Sequence, residues 1–331
     1  MTEAPHSPGE ADHKTLPVEK SGERPGMRSF LERMNAAERF FSSWDYSVPG
    51  FEPVLRRIRS SELHQDENHE FLSESSGKFV WRIRDCENAL KFDVAYKTQN
   101  GKAPWRYWFR SSLPVRECRN YAYYEALGIP VPEVLAVGDT RHCFHLSESF
   151  LVTHYYLSGA RDGRAFMKGG AFYHDQCRKR IFCRKNLRLL ARIHDESYFH
   201  KAFHPRNLLW RDAVRTGAGN TDCAAGERGG SSGTGRAAER VEESSMEVFW
   251  IDVARCRPCP QRKMHRAVIV DLHTFFRDMR LKAEEVADLL SFYVSCRAAA
   301  AASELSPELL LEELLGFRRR LFSRKKYMIY Q

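Results

Sequence analysis

His200-Lys201-Ala202-Phe203-His204-Pro205-Arg206-Asn207-Leu208-Leu209 follows a stretch of helical periodicity, Arg178 to His194, and runs into a short apolar strand, Asn207 to Trp210. A His and an Asn at this spacing are a short match, and an ordinary loop explains them equally well when they stand alone. Their neighbours give them meaning. Downstream, Phe249-Trp250-Ile251-Asp252-Val253-Ala254-Arg255 is an apolar strand that ends in a carboxylate. By itself, Asp252 reads as well as the cap of a turn. Upstream, Val94-Ala95-Tyr96-Lys97 sets a lysine on a strand, and a point charge on a rigid element suits a polyphosphate. Lys91 lies at even spacing on the same predicted strand and is an alternative; a single strand lysine is more often merely solvated. Glu117, early in the next helix, is the acid that chain order offers to such a lysine; otherwise it is a plain helix glutamate.

Taken in order, strand Lys, helix Glu, a middle strand, a His-to-Asn loop and a strand-end Asp resemble the protein kinases. In that superfamily H-R-D-x-x-x-x-N supplies Asp as base and Asn as metal ligand, and a later Asp holds the Mg²⁺ that bridges the ATP phosphates. His200 and Asn207 match this pattern, and Ala202 occupies the position of the base. The resemblance puts adenine against the backbone near Thr153 and Tyr155, at the end of the middle strand. No G-x-G-x-x-G loop is present, and Gly77 is the only glycine near the first predicted strand. The turn Asp85 to Asn88 is then left to cover the phosphates, or nucleotide binding is weak.

Three stretches resemble one branch of this superfamily, the lipopolysaccharide kinase (Kdo/heptose kinase) family. The first is Arg116-Glu117-Cys118-Arg119-Asn120-Tyr121 with Leu127-Gly128-Ile129-Pro130-Val131-Pro132. The second is Ser149-Phe150-Leu151-Val152-Thr153. The third is Ile251-Asp252-Val253 with Asp271-Leu272-His273-Thr274-Phe275-Phe276 and Ser291-Phe292-Tyr293. The resemblance covers roughly Phe79 to Tyr327. It implies an α+β, protein-kinase-like two-lobed fold, with a small β-rich N-lobe and a mainly helical C-lobe. It implies ATP and Mg²⁺, with Lys97 and Glu117 at the nucleotide and Asn207 and Asp252 at the metal. It also implies a sugar of the lipopolysaccharide core as acceptor, not nucleic acid. Ala202 is the departure, because a methyl group accepts no proton; His200, His204 and Asp195 are the nearby groups that could stand in. Two functions fit: a sugar kinase impaired at Ala202, and a pseudokinase that binds nucleotide or acts as a scaffold. Antibiotic or small-metabolite kinases of the same fold are a third, smaller option.

Composition sets the frame. The chain has 331 residues, 43% of them hydrophobic, and a net charge of +9. That basic balance favours anionic partners, whether nucleic acid, lipid head groups or phosphorylated sugars. No run of about 18 apolar residues predicts a transmembrane helix. Nine cysteines without a secretory leader predict reduced thiols in a cytoplasmic protein. Cys256 and Cys259 form a lone C-x-x-C, which lacks a second ligand pair for zinc.

Residues 1–28 are polar and read as a disordered tail. The N-terminal lobe is expected over 29–157 and the C-terminal lobe over 158–331, with a low-complexity insert at 216–245. Within them the periodicities predict helices at Ser29 to Phe41, Pro114 to Leu127, Ala267 to Met279, Lys282 to Ala301 and Pro307 to Arg324. Strands are predicted at Phe79 to Arg84, Ala89 to Thr98 and Ser149 to Tyr156, with an extended segment at Glu133 to Val137 and irregular chain from Phe41 to Gly77. Arg318 to Lys326 is basic and partly amphipathic. It suits peripheral contact with an anionic inner-membrane surface and equally a solvated helix end.

Overall fold

The structure, a computed structural model, describes residues 43–60, 69–75, 78–84, 93–100, 107, 110–142, 145–155, 160–213, 246–298 and 305–322. The tail 1–28, the helix expected at 29–41, Lys91, the turn 85–88, the insert 216–245 and the side chains of the basic stretch from 318 onward lie outside these residues.

An antiparallel six-stranded sheet forms the N-terminal half. It contains β1 (Trp44–Ser47), β2 (His69–Ser75), β3 (Lys78–Ile83), β4 (Val94–Asn100), β5 (Val134–His142) and β6 (His145–His154), in the order β1-β5-β6-β4-β3-β2. Two helices accompany it, α1 (Glu52–Arg59) and α2 (Leu113–Ala126). Successive strand residues point to opposite faces. Val94 and Tyr96 of β4 and Phe150 and Val152 of β6 therefore share one face, where they pack with Phe51, Leu55 and Ile58 on and beside α1. Burying Leu55 and Ile58 stabilises this docking by about 1.5–3 kcal/mol each. Lys97 and Thr153 fall on the opposite face with Leu151, which belongs to the core shared by α2 and the C-terminal half.

Three of these elements, β1, α1 and β2, occupy the stretch expected to be irregular. Glu52-Pro53 starts α1 with a proline in its first turn, and Leu55 and Ile58 recur at helical spacing. Strand β2 is an edge strand of mostly polar residues, so it carries little apolar pattern to read.

The C-terminal half contains β7 (Arg161–Asp162), α3 (Gln176–Asp195), β8 (Tyr198–Phe199), β9 (Leu208–Asp212), β10 (Met246–Trp250), β11 (Arg257–Pro258), α4 (Gln261–Met279), α5 (Ala283–Ser295) and α6 (Pro307–Phe322). Strands β10, β9 and β7 form one small sheet, and β11 pairs with β8. Helix α4 begins a turn and a half before its apolar stripe, because its first residues are exposed. Helix α5 ends at Ser295 instead of continuing to 301; just beyond it, Arg297 turns to Asp195 at 2.5 Å. The loop 200–207 is pinned by Phe203, which is fully buried with its ring 5.1 Å from Trp250 and 5.0 Å from Phe275. Among the described residues no helix is long and apolar enough to cross a membrane.

Candidate active site

The sheet and α2 bring Lys97 and Glu117 together. Lys97 lies on the α2 face of β4, and its Nζ is 2.5 Å from Glu117 Oε1. Glu117 is nearly buried and also accepts from the Tyr121 hydroxyl at 2.6 Å, one helical turn on. The start of α2 is fixed by a buried polar cluster. Ser112 caps the helix by accepting from Val115 N at 3.3 Å and donates to Asp139 Oδ1 at 2.7 Å. Asp139 is in turn paired with the buried Arg141 at 2.9 Å. Gln99 on β4 accepts from Leu113 N at 3.0 Å, so the strand that carries Lys97 also grips the helix that carries Glu117. Burial works against the Lys97 ammonium, but Glu117, Asp252 and the hydrogen bond to Glu117 outweigh it and raise its pKa.

Strands β9 and β10 bring Asn207 and Asp252 to one end of their ladder, where Leu208 pairs with Trp250. Ile251 N donates to the Asn207 carbonyl at 2.9 Å. The Asn207 side-chain nitrogen donates to the Ala202 carbonyl at 3.0 Å. That bond commits the amide nitrogen to the loop, so the amide oxygen is the atom free to meet a cation. Asp252 has φ of 54°, a left-handed conformation that a side chain adopts only under constraint. Its carboxyl is reachable by solvent yet enclosed. Desolvation and then Glu117 push its pKa up, while Lys97, Lys78 and Arg255 pull it down.

Asp252 and Asn207 offer two hard oxygen donors, which fits Mg²⁺. That ion keeps several waters and takes its remaining ligands from phosphate. Among the described residues no group of three or more His, Cys, Asp and Glu converges as a metal site.

His200 is fully buried among Tyr124, Phe203 and Trp250. Its Nδ1 accepts from Ala202 N at 3.3 Å. Burial lowers its pKa to about 3, so the ring is neutral and serves to shape the loop. The unfolded chain therefore binds a proton here that the folded chain refuses. Stability carried by this site is complete above about pH 6.5 and falls by up to about 1.4 kcal/mol per pH unit below it. Urea unfolding at pH 7 and pH 5 should show that loss in the parent chain and a smaller one in His200→Gln. Equal slopes in both would contradict a buried neutral imidazole.

Asp271, in the middle of α4, is the site residue whose role the sequence does not reveal. It is fully buried and accepts from His200 N at 2.9 Å and Lys201 N at 2.8 Å, while Lys201 takes φ of 64°. Its partner His194 lies at 3.2 Å. An acid on the apolar stripe of Ala267, Val268, Leu272 and Phe275 was the available signal.

Thr153 is buried in β6, and Tyr155 N donates to the Asp93 carbonyl at 2.8 Å. Those groups are engaged within the sheet, and residues 156–159 lie outside the described residues. The stretch 85–88, expected over the phosphates, lies outside the described residues. Lys78, at the start of β3, lies near enough to Asp252 for that charge to act on it.

A β-rich sheet domain with a mainly helical one, and the Lys97–Glu117 pair within electrostatic reach of Asp252, gives a protein-kinase-like two-lobed fold. Residues 97–221 match the family model "Lipopolysaccharide kinase (Kdo/WaaP) family", so the resemblance read from the sequence is shown over a span that runs from Lys97 past Asn207 and stops short of Asp252. The chain is also similar to a solved structure described as "WaaP in complex with acyl carrier protein", at 14% identity and a TM-score of 0.47, over 81% of this chain and 95% of that one. No curated protein matches the chain.

Proposed function

We propose that the chain is an ATP- and Mg²⁺-dependent kinase-like protein that phosphorylates a sugar hydroxyl of the lipopolysaccharide core, with transfer depressed at Ala202. The cleft lies between a lobe at 29–157 and a lobe at 158–331. The Lys97–Glu117 ion pair, with Asp252 acting on the same ammonium, carries the proposal.

In this reading Lys97 meets the nucleotide phosphates, oriented by Glu117. Asn207 and Asp252 would hold Mg²⁺, and the ion would supply positive charge against the phosphates. The adenine-facing backbone is at Thr153, Tyr155 and the residues that follow. The acceptor oxygen forms a bond to the γ-phosphorus, the bond to the bridging oxygen breaks, and ADP leaves. The hydroxyl proton must also leave, and Ala202 supplies no group to take it. The protein works at the cytoplasmic side of the inner membrane, with the basic stretch Arg318 to Lys326 against anionic lipid.

Labelled phosphate transfer from ATP to a lipopolysaccharide-core acceptor tests this. Slow transfer by the parent chain, lost in Asp252→Ala, is the expected result. Ala202 favours a second reading, a nucleotide-binding pseudokinase. Nucleotide binding with no transfer above background would select it.

A further inference from the structure

Three cations stand around the candidate site without a role in that reading. Lys78 opens β3. Arg116 is exposed next to Glu117, and Arg255 is exposed in the turn three residues past Asp252. Helix α2 and that turn are stapled together, because Asn120 Nδ2 donates to the carbonyls of Val253 at 2.6 Å and Cys256 at 3.1 Å. Arg116 is four residues before Asn120 and so lies one turn along the same helix face, where the charge of Arg255 reaches it. Lys78 lies two residues before Val80, which pairs with Lys97, so it shares the sheet face that carries Lys97. Burial and then Arg255 and Arg116 lower its pKa, against the pull of Asp252 and Glu117. Burial, Arg110 and Arg255 likewise lower that of Arg116, with Tyr107 opposing them. Among the described residues none of the three cations is ion-paired with a carboxylate.

We propose that Lys78, Arg116 and Arg255 form a phosphate-binding rim beside Asp252. Three like charges held together repel one another, and a multivalent anion relieves that repulsion. The planar forks of two arginines match phosphate oxygens bidentately, and the lysine adds a point charge. The phosphate belongs either to an acceptor that is already phosphorylated or to the end of the nucleotide. This deepens the kinase reading, which supplies the nucleotide and acceptor beside the rim.

Titration calorimetry on the full chain with inorganic phosphate at low salt tests the rim. Each of Lys78→Gln, Arg116→Gln and Arg255→Gln should weaken phosphate binding by about tenfold to a hundredfold, the usual worth of a charge-assisted hydrogen bond. Two of these positions are exposed, so folding should survive. Repeating the titration with a non-hydrolysable ATP analogue and Mg²⁺ separates the sources. Phosphate that binds alongside the analogue, with analogue affinity unchanged in Arg255→Gln, assigns the rim to the acceptor. Phosphate displaced by the analogue, with the variant weakened toward the analogue and not toward ADP, assigns it to the nucleotide. A chain that binds phosphate through the rim but no ADP–Mg²⁺ would keep the rim and sink the kinase reading. Phosphate binding that is absent, or equal in the parent and all three variants, overturns the rim.

Discussion

Ala202→Asp should raise phosphoryl transfer to a lipopolysaccharide-core acceptor by about two or more decades, the usual contribution of a positioned base. The loop is already set for it. The Ala202 amide donates to His200 Nδ1 and its carbonyl accepts from Asn207, which fixes the direction of the side chain. The groups that could have replaced the base are engaged elsewhere. His200 is fully buried, Asp195 is bound by Arg297 at 2.5 Å, and His204 is paired with Asp278 at 2.7 Å. Nucleotide affinity should barely change, since Lys97, Asn207 and Asp252 are untouched. Steady-state rates of both chains against the same acceptor check this. A parent chain already turning over at about 1–100 s⁻¹ would show that no base is needed at this position. An unchanged rate in the variant, with ATP bound, would show that the acceptor pocket has been lost as well.

Asp271→Ala should cost about 2–5 kcal/mol of stability, because it leaves two backbone donors unsatisfied at about 1–3 kcal/mol each. The carboxyl is fully buried, and burial pushes its pKa well up, against the pull of the two backbone amides of His200 and Lys201. Its removal strands both amides and the Nε2 of His194, whose Nδ1 keeps the Tyr293 hydroxyl, and the left-handed Lys201 loses the contact that holds it. Asp271→Asn keeps one acceptor oxygen but turns an NH₂ toward a donor, so it should fall between. Urea unfolding measures all three chains. A loss below about 1 kcal/mol in Asp271→Ala would mean that the loop stands without the clamp.

The strand lysine and the helix glutamate could be picked from the sequence because each sits on a regular element in a fixed order, and the structure brings Lys97 and Glu117 into contact. Asn207 and Asp252 could be picked for the same reason: a strand pair needs only its apolar pattern to be read. The first three elements, β1, α1 and β2, were not legible. Strand β2 is polar and at an edge, β1 has four residues, and α1 has eight. Asp271 was visible as a residue but not as a clamp, because its partners are backbone amides about 70 residues away and amides leave no mark in sequence. The same holds for Asn120, whose grip on the Val253 and Cys256 carbonyls ties α2 to the turn that carries Arg255. Depth was hidden too: a histidine in a polar-looking loop gives no sign that Tyr124, Phe203 and Trp250 enclose it.

If Lys97, Asn207 and Asp252 form one nucleotide–metal site, thermal unfolding with ATP, with and without Mg²⁺, will register it. A ligand at a hundredfold its dissociation constant stabilises the folded chain by about 2.7 kcal/mol. The melting temperature should be raised by ATP, raised further by Mg²⁺, and no longer responsive to Mg²⁺ in Asp252→Asn. No shift at saturating ATP, or a Mg²⁺ response that survives Asp252→Asn, would contradict it.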